Sequence, residues 1–226
     1  MSSMLGWFDL KLRRYKKIRA RGMMLMTRVQ NALPDGLILQ AAEDLRMLKK
    51  GALDLRSEDE LAFVSDRAIH DIPWPEKRWI ESVLDDPDFS LVPEERDYLE
   101  AHRSPFFSLY EVLGADRGQG CHLRDLFING KEMFLFDVWM GTTFKKGGLL
   151  ATRVVALDGL NFTAGVGLPF RPEEKAALVG NFTDLFDKKK ATLTWEEMMR
   201  RYAPFFVRRY RQGETEIRYQ STAGSR

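Results

Sequence analysis

A chain of 226 residues, 44% hydrophobic and 30% charged, can bury a core as one large domain or two small ones, and a net charge of only +2 gives it no global attraction for nucleic acid or acidic surfaces. A single cysteine, Cys121, excludes an internal disulfide and a cysteine-rich zinc site and suits a reducing compartment. No apolar stretch approaches the roughly 20 residues that span a bilayer, and charges interrupt any signal-peptide core, so a cytoplasmic protein with no membrane span is expected.

The charge is unevenly spread. Residues 1–33 carry eight basic groups and one acidic; this basic arm (GWFDLKLRRYKKIRARGMMLMTRV) places Trp7, Leu10, Arg14 and Ile18 on one helical face. It is suited either to an acidic external surface or to the acidic part of its own chain. Residues 34–105 carry nine basic and eighteen acidic groups and have the period of helices. Pro34-Asp35-Gly36 opens a helix through Leu37, Ile38, Ala41, Leu45 and Leu48, with Gly51 as its stop. Ser57 and Glu60 are spaced as a capping box, Trp74-Pro75 marks a third helix start, and Val92-Pro93 a fourth.

From Phe106 the period shortens to that of strands. SLYEVL, CHLRDLFI, KEMFLFDVW, LLATRVVAL and LNFTAGVG are separated by glycine-rich turns, with hairpin signals at Asn129-Gly130 and Asp158-Gly159. The fold class expected is α+β: a small five-stranded antiparallel β-barrel, SH3-like or OB-like, over residues 106–170, flanked by N- and C-terminal helices. Helices resume over 171–211, opened by Pro172-Glu173-Glu174 and by a Thr194/Glu197 capping box and broken at Pro204; a polar, disordered tail is expected over 212–226.

The stretch WMGTTFKKGGLLATRVVAL sets Gly147-Gly148 before a strand whose two faces are both apolar except at Arg153. A covered guanidinium needs acceptors, and Glu111, Asp125 and Asp137 are the expected ones, in a structural ion pair or facing a ligand. Two segments, SPFFSLYEVLGADRGQGCHLRDLF and FKKGGLLATRVVALDGLNFTAGVGLPF, resemble an uncharacterised bacterial module that often accompanies a SEC-C segment, the cysteine-rich zinc tail also found on the SecA motor. The resemblance spans roughly residues 93–170 and implies module boundaries, not an activity. With one cysteine, this chain cannot build that zinc tail.

No catalytic constellation emerges. His70, His102 and His122 are dispersed, Cys121 lacks an activating context, and no phosphate-loop, nucleophile-elbow or dinucleotide motif occurs. The pairs Glu94-Glu95, Glu173-Glu174 and Glu196-Glu197 stand in first helical turns, where capping accounts for them. No cofactor is expected. The reading is a non-catalytic interaction protein with an unknown protein partner. The alternative is a single-stranded nucleic-acid binder using the barrel face and the basic arm. Arg117, Arg124, Lys131, Lys145, Lys146 and Arg153 supply candidate contacts, with Trp139 and its neighbouring phenylalanines as stacking rings.

Overall fold

The computed structural model describes residues 2–128 and 130–213, with side chains from residue 9 onward except at positions 58 and 59. Ser2–Asn31 is a single 30-residue helix, α1. It is not a free arm. Tyr15, Leu25, Met26 and Val29 are buried, and Tyr15 stacks on Phe136 of the barrel at 6.1 Å. The face expected from Leu10, Arg14 and Ile18 is not the buried one: Leu10 is 67% exposed, and Trp7 lies outside the residues whose side chains are described.

Helix α2 (Asp35–Asp44) ends earlier than its apolar period suggested. Leu48–Lys49 (β1) and Ala52–Leu53 (β2) form a hairpin across Lys50 and Gly51, both at positive φ (53° and 79°). Gly51 therefore serves a two-residue turn rather than a helix stop, and the reversal sets Met47 in the core. Helix α3 (Glu58–His70) starts after Ser57, but the expected capping box is not formed. The Glu60 carboxylate accepts from the Arg56 N–H at 2.7 Å and binds Arg211 at 2.8 Å, so it is held elsewhere.

The third helix begins five residues later than expected, as α4 (Trp79–Asp85). Trp74-Pro75 is instead a cis bond in a loop closed by the Trp74 N–H and the Lys77 carbonyl. Helix α5 (Pro93–Ala101) starts where Val92-Pro93 placed it, with Glu95 accepting from the Val92 N–H at 3.2 Å. The first two helical layers meet where Gly22 of α1 crosses α5. A Cβ there would fall 2.3 Å from the Tyr98 ring, so only glycine permits this approach.

Five strands follow: β3 (Phe107–Asp116), β4 (Gly120–Asp125), β5 (Glu132–Phe136), β6 (Leu149–Leu157) and β7 (Leu160–Phe170), with a four-residue helix, α6 (Met140–Thr143), between β5 and β6. They close into a barrel in the order β3-β4-β5-β7-β6. The barrel is mixed, not antiparallel as expected. A closed ring with an odd number of strands cannot alternate direction all the way round, and the parallel seam falls between β5 and β7 at Leu135 and Asn161. The Asn161 amide donates to the Phe134 carbonyl at 3.1 Å across it. Asp158 and Gly159 turn β6 into β7 as their sequence predicts; Asn129 of the other hairpin signal lies outside the described residues.

Helices α7 (Lys175–Asp187), α8 (Trp195–Tyr202) and α9 (Pro204–Gln212) complete the described part of the chain. The Thr194/Glu197 capping box forms in both directions, at 3.2 and 2.7 Å. Pro204 separates α8 from α9 by opening the latter. Phe182 stacks on Phe206 at 5.1 Å and packs against Phe127 in the β4–β5 connection at 5.0 Å, which seats these helices against that end of the barrel. The expectation for the polar tail falls outside the described residues from position 214 onward.

Candidate functional site

Arg153 sits in the middle of β6 and is fully buried. Its acceptors are not the barrel carboxylates expected from sequence. Its guanidinium donates to Asp66 at 3.1 Å, to Asp71 at 2.9 Å and to the Pro105 carbonyl at 2.8 Å. Asp125 instead accepts from the Phe127 and Ile128 N–H groups, and Asp137 from those of Trp139 and Met140. Glu111 binds Lys175 at 3.0 Å. The reason is layering: α5 packs on β6 and α3 on the neighbouring β7, and the C-terminal part of α3 brings Asp66 and Asp71 to Arg153.

Burial alone would raise the Asp66 pKa, but Arg153 and His70 beside it hold the carboxyl well below the usual range. Burial likewise opposes the charge on Arg153, and the two aspartates more than offset it. His70 and His102 stack at 5.8 Å, each with Nδ1 against the carbonyl four residues earlier. Burial pushes the His102 imidazole down to about 3, with His70 adding to the effect. Among the described residues, no group of three or more His, Cys, Asp or Glu side chains is placed to hold a metal ion. The arrangement is an ion pair joining helix to barrel, closed to solvent.

An open cleft of about 520 Å³ borders this network at Asp71 and is lined also by Arg67, Arg78 and Arg200 among others. Three of its guanidiniums are engaged with carboxylates, Arg67 with Asp44 at 2.8 Å, Arg78 with Glu81 at 2.6 Å and Arg200 with Glu196 at 2.9 Å, and Arg201 lies over the Tyr202 ring. Cys121 is buried and its thiol is pushed up to about 12 by burial, with Asp137 and Asp116 adding to it, so it stays protonated at neutral pH.

The other candidate residues lie on the barrel surface. Arg117 is exposed in the β3–β4 turn, and α6 rests against that turn, with Gly141 close to the Asp116 carbonyl. Trp139, at the start of α6, is 45% exposed and meets Phe144 edge-on at 6.3 Å. Lys145 and Lys146 follow, exposed, in the loop to β6. These four belong to one end of the barrel. Arg124 and Lys131 lie at the opposite end of β4, where Arg124 is matched by Glu132 at 2.7 Å and Glu111 at 3.7 Å. Phe136 and Phe162 are buried in the core.

A second surface was not among the sequence candidates. A groove of about 570 Å³ runs between α1 and α5 and reaches the β6–β7 turn. Arg14–Asp158 closes one part of it at 2.5 Å and Arg28–Glu95 another at 2.9 Å. Lys17 and Arg21 on the α1 rim and Glu94 and Asp97 on the α5 rim are exposed, and among the described residues none of the four makes an ion pair. Leu25 and Tyr98 line the floor, and burial pushes the Tyr98 hydroxyl up to about 12. The signal was present in the sequence as the opposite charge of residues 1–33 and 34–105. What periodicity could not give was which charges would reach one another.

Among the described residues no helix is long and apolar enough to cross a membrane. No curated protein and no solved structure matches the chain. One family model matches residues 9–220, a span that takes in the basic helix, the groove, the Arg153 network and the barrel alike, and by that match the chain belongs to the family of unknown function DUF7986.

Proposed function

We propose that the chain is a non-catalytic interaction protein that docks a protein partner along the α1–α5 groove. The observation that carries this is the charge on its two rims, without an ion-pair partner among the described residues: basic at Lys17 and Arg21, acidic at Glu94 and Asp97, on either side of an apolar floor. Opposed rims of this kind steer and orient a partner that carries matching charge. Elsewhere the buried Arg153 charge is met by Asp66 and Asp71, and Cys121 is protonated and covered. A single buried thiol suits a cytoplasmic setting. The resemblance to a module that accompanies SEC-C segments fits an adaptor role, with the docking carried here by helices in place of a zinc tail.

The test is a photo-crosslinking side chain introduced at Met24 on the groove rim, with Thr183 on α7 as a control position. A discrete protein adduct from Met24 alone is expected, unaffected by nuclease and diminished by Lys17→Glu/Arg21→Glu. An adduct pattern shared with Thr183, or one abolished by nuclease, refutes the reading.

A second reading, single-stranded nucleic-acid binding, is favoured by one observation. The strand order first-second-third-fifth-fourth, with a short helix between the third and fourth strands, is that of OB barrels. These bind strands across the second and third strands and the adjoining loops. Arg117, Arg124, Lys131 and Trp139 border that region here, and Lys145 and Lys146 adjoin it. Against it, acidic neighbours offset Arg124, and α1 lies on the β6–β7 turn through Lys11 and Arg14. Fluorescence anisotropy with a labelled oligonucleotide of about 15 nucleotides separates the two readings. Binding that collapses between about 50 and 200 mM salt and is lost in Trp139→Ala supports this one.

A further inference from the structure

We propose that the α1–α5 groove is the seat of a two-fold homodimer, in which the basic rim of each copy lies on the acidic rim of the other. This rests on the reading of the groove as a docking surface and names its occupant. An isologous interface needs a patch that is complementary to itself. A patch with one positive and one negative edge has that property for one placement of the axis. A two-fold axis running along the groove carries α1 of the second copy over α5 of the first, so Lys17 and Arg21 face the partner's acidic rim on both sides. An axis running across the groove would set basic rim on basic rim, so the charges also select the orientation.

The apolar residues fit the same placement. Met24 on the α1 rim is 73% exposed and Val92 at the start of α5 is 54% exposed, and both line the groove. Rotation about the groove axis brings each over the opposite rim of the other copy, closing the apolar floor from water. Within one chain, among the described residues, the corresponding charges form no ion pair with one another. Gly22 lets α1 close onto Tyr98 at the floor, and on the rims Arg14 and Arg28 are already taken by Asp158 and Glu95. A foreign partner would need an independently matched pair of charged edges; a second copy has them by symmetry.

The experiment is sedimentation velocity on the purified full chain up to about 100 µM, at low and moderate salt. The variants are Lys17→Glu/Arg21→Glu and Glu94→Lys/Asp97→Lys. The four side chains are exposed and form no ion pair among the described residues, so both variants are expected to keep the wild-type circular dichroism and melting curve. The wild type is expected to dimerise, more weakly as salt rises. Each variant alone loses at least about tenfold in dimer affinity. An equimolar mixture of the two recovers it, because the mixed dimer restores opposite charge on both sides; a clash within one chain would not be relieved by mixing. A monomeric wild type, a dimer indifferent to both reversals, or a mixture that stays monomeric overturns the proposal. If the wild type is monomeric but Met24 still captures a different protein, self-association fails and the docking reading stands; if neither occurs, both fail.

Discussion

The Arg153 guanidinium meets the Asp71 carboxylate at 2.9 Å, with both side chains essentially removed from solvent, and this contact ties the barrel to the end of α3. Removing one partner of such a pair leaves an uncompensated charge in the interior. Arg153→Met is expected to cost about 3–5 kcal/mol in urea unfolding. The triple variant Arg153→Met/Asp66→Asn/Asp71→Asn is expected to recover part of that loss. A loss below about 1 kcal/mol for the single variant would mean the clasp is solvated.

The His102 imidazole is held near 3 in the folded state against an ordinary value of 6.5. Unfolded chains therefore take up a proton below pH 6.5 while folded chains do not. The associated stability is present in full above pH 6.5 and is lost as pH falls toward 3, at up to about 1.4 kcal/mol per pH unit. Asp66, held below its usual 3.8, adds a further loss on acidification below that value. Unfolding free energies of wild type and His102→Gln between pH 7 and 4 should diverge in slope, the variant being flatter. Parallel slopes would sink the assignment.

Gly22→Ala places a methyl carbon inside the Tyr98 ring volume. Alanine favours a helix interior by about 1 kcal/mol. Overpacking of this kind costs about 1–3 kcal/mol, so a net loss is expected. Tyr98→Leu in the same chain should make Gly22→Ala neutral or stabilising. A double-mutant cycle with no coupling would remove the close approach from the account.

Thr194→Ala deletes the hydroxyl that accepts from the Glu197 N–H. A loss of about 1 kcal/mol is expected by thermal or urea melting. Ser at the same position should retain most of the stability. Equal losses for Ser and Ala would point to the methyl group instead.

The Cys121 thiol should react with an aromatic disulfide reagent at neutral pH only as the chain opens. Its rate is expected to follow unfolding and to rise with urea. Prompt reaction in buffer would contradict its burial.

How far the sequence foretold this structure differs from place to place. LLATRVVAL reads as one strand from end to end because both its faces are apolar, and β6 has the same limits. Thr194-Trp195-Glu196-Glu197 carries its own start signal, and the cap forms. These are local matters. Arg153 could be recognised as a cation needing acceptors, but alternation within a strand says nothing about which element lies over it. Asp66 and Asp71 alternate with apolar and basic residues at the end of a helix, and nothing local marks them as buried. Lys50-Gly51 satisfies both a helix stop and a tight turn, and only the fate of Met47 decides between them. The groove escaped notice for the same reason as the clasp: charge excess is visible along the chain, but the separation of Lys17 from Asp97 is fixed by how Gly22 lets α1 lie on α5.

The Arg153 clasp also limits what can be inherited piecemeal. Strands cut away from residues 66–71 would keep a guanidinium with no counterion, and the helices left behind would keep two carboxylates without their Arg153 donor, Asp71 beside Arg67 and Arg200 only at 3.5 and 3.8 Å. Neither half is a portable unit. Any natural or engineered transplant of the barrel must bring the end of α3 with it, or rewrite position 153.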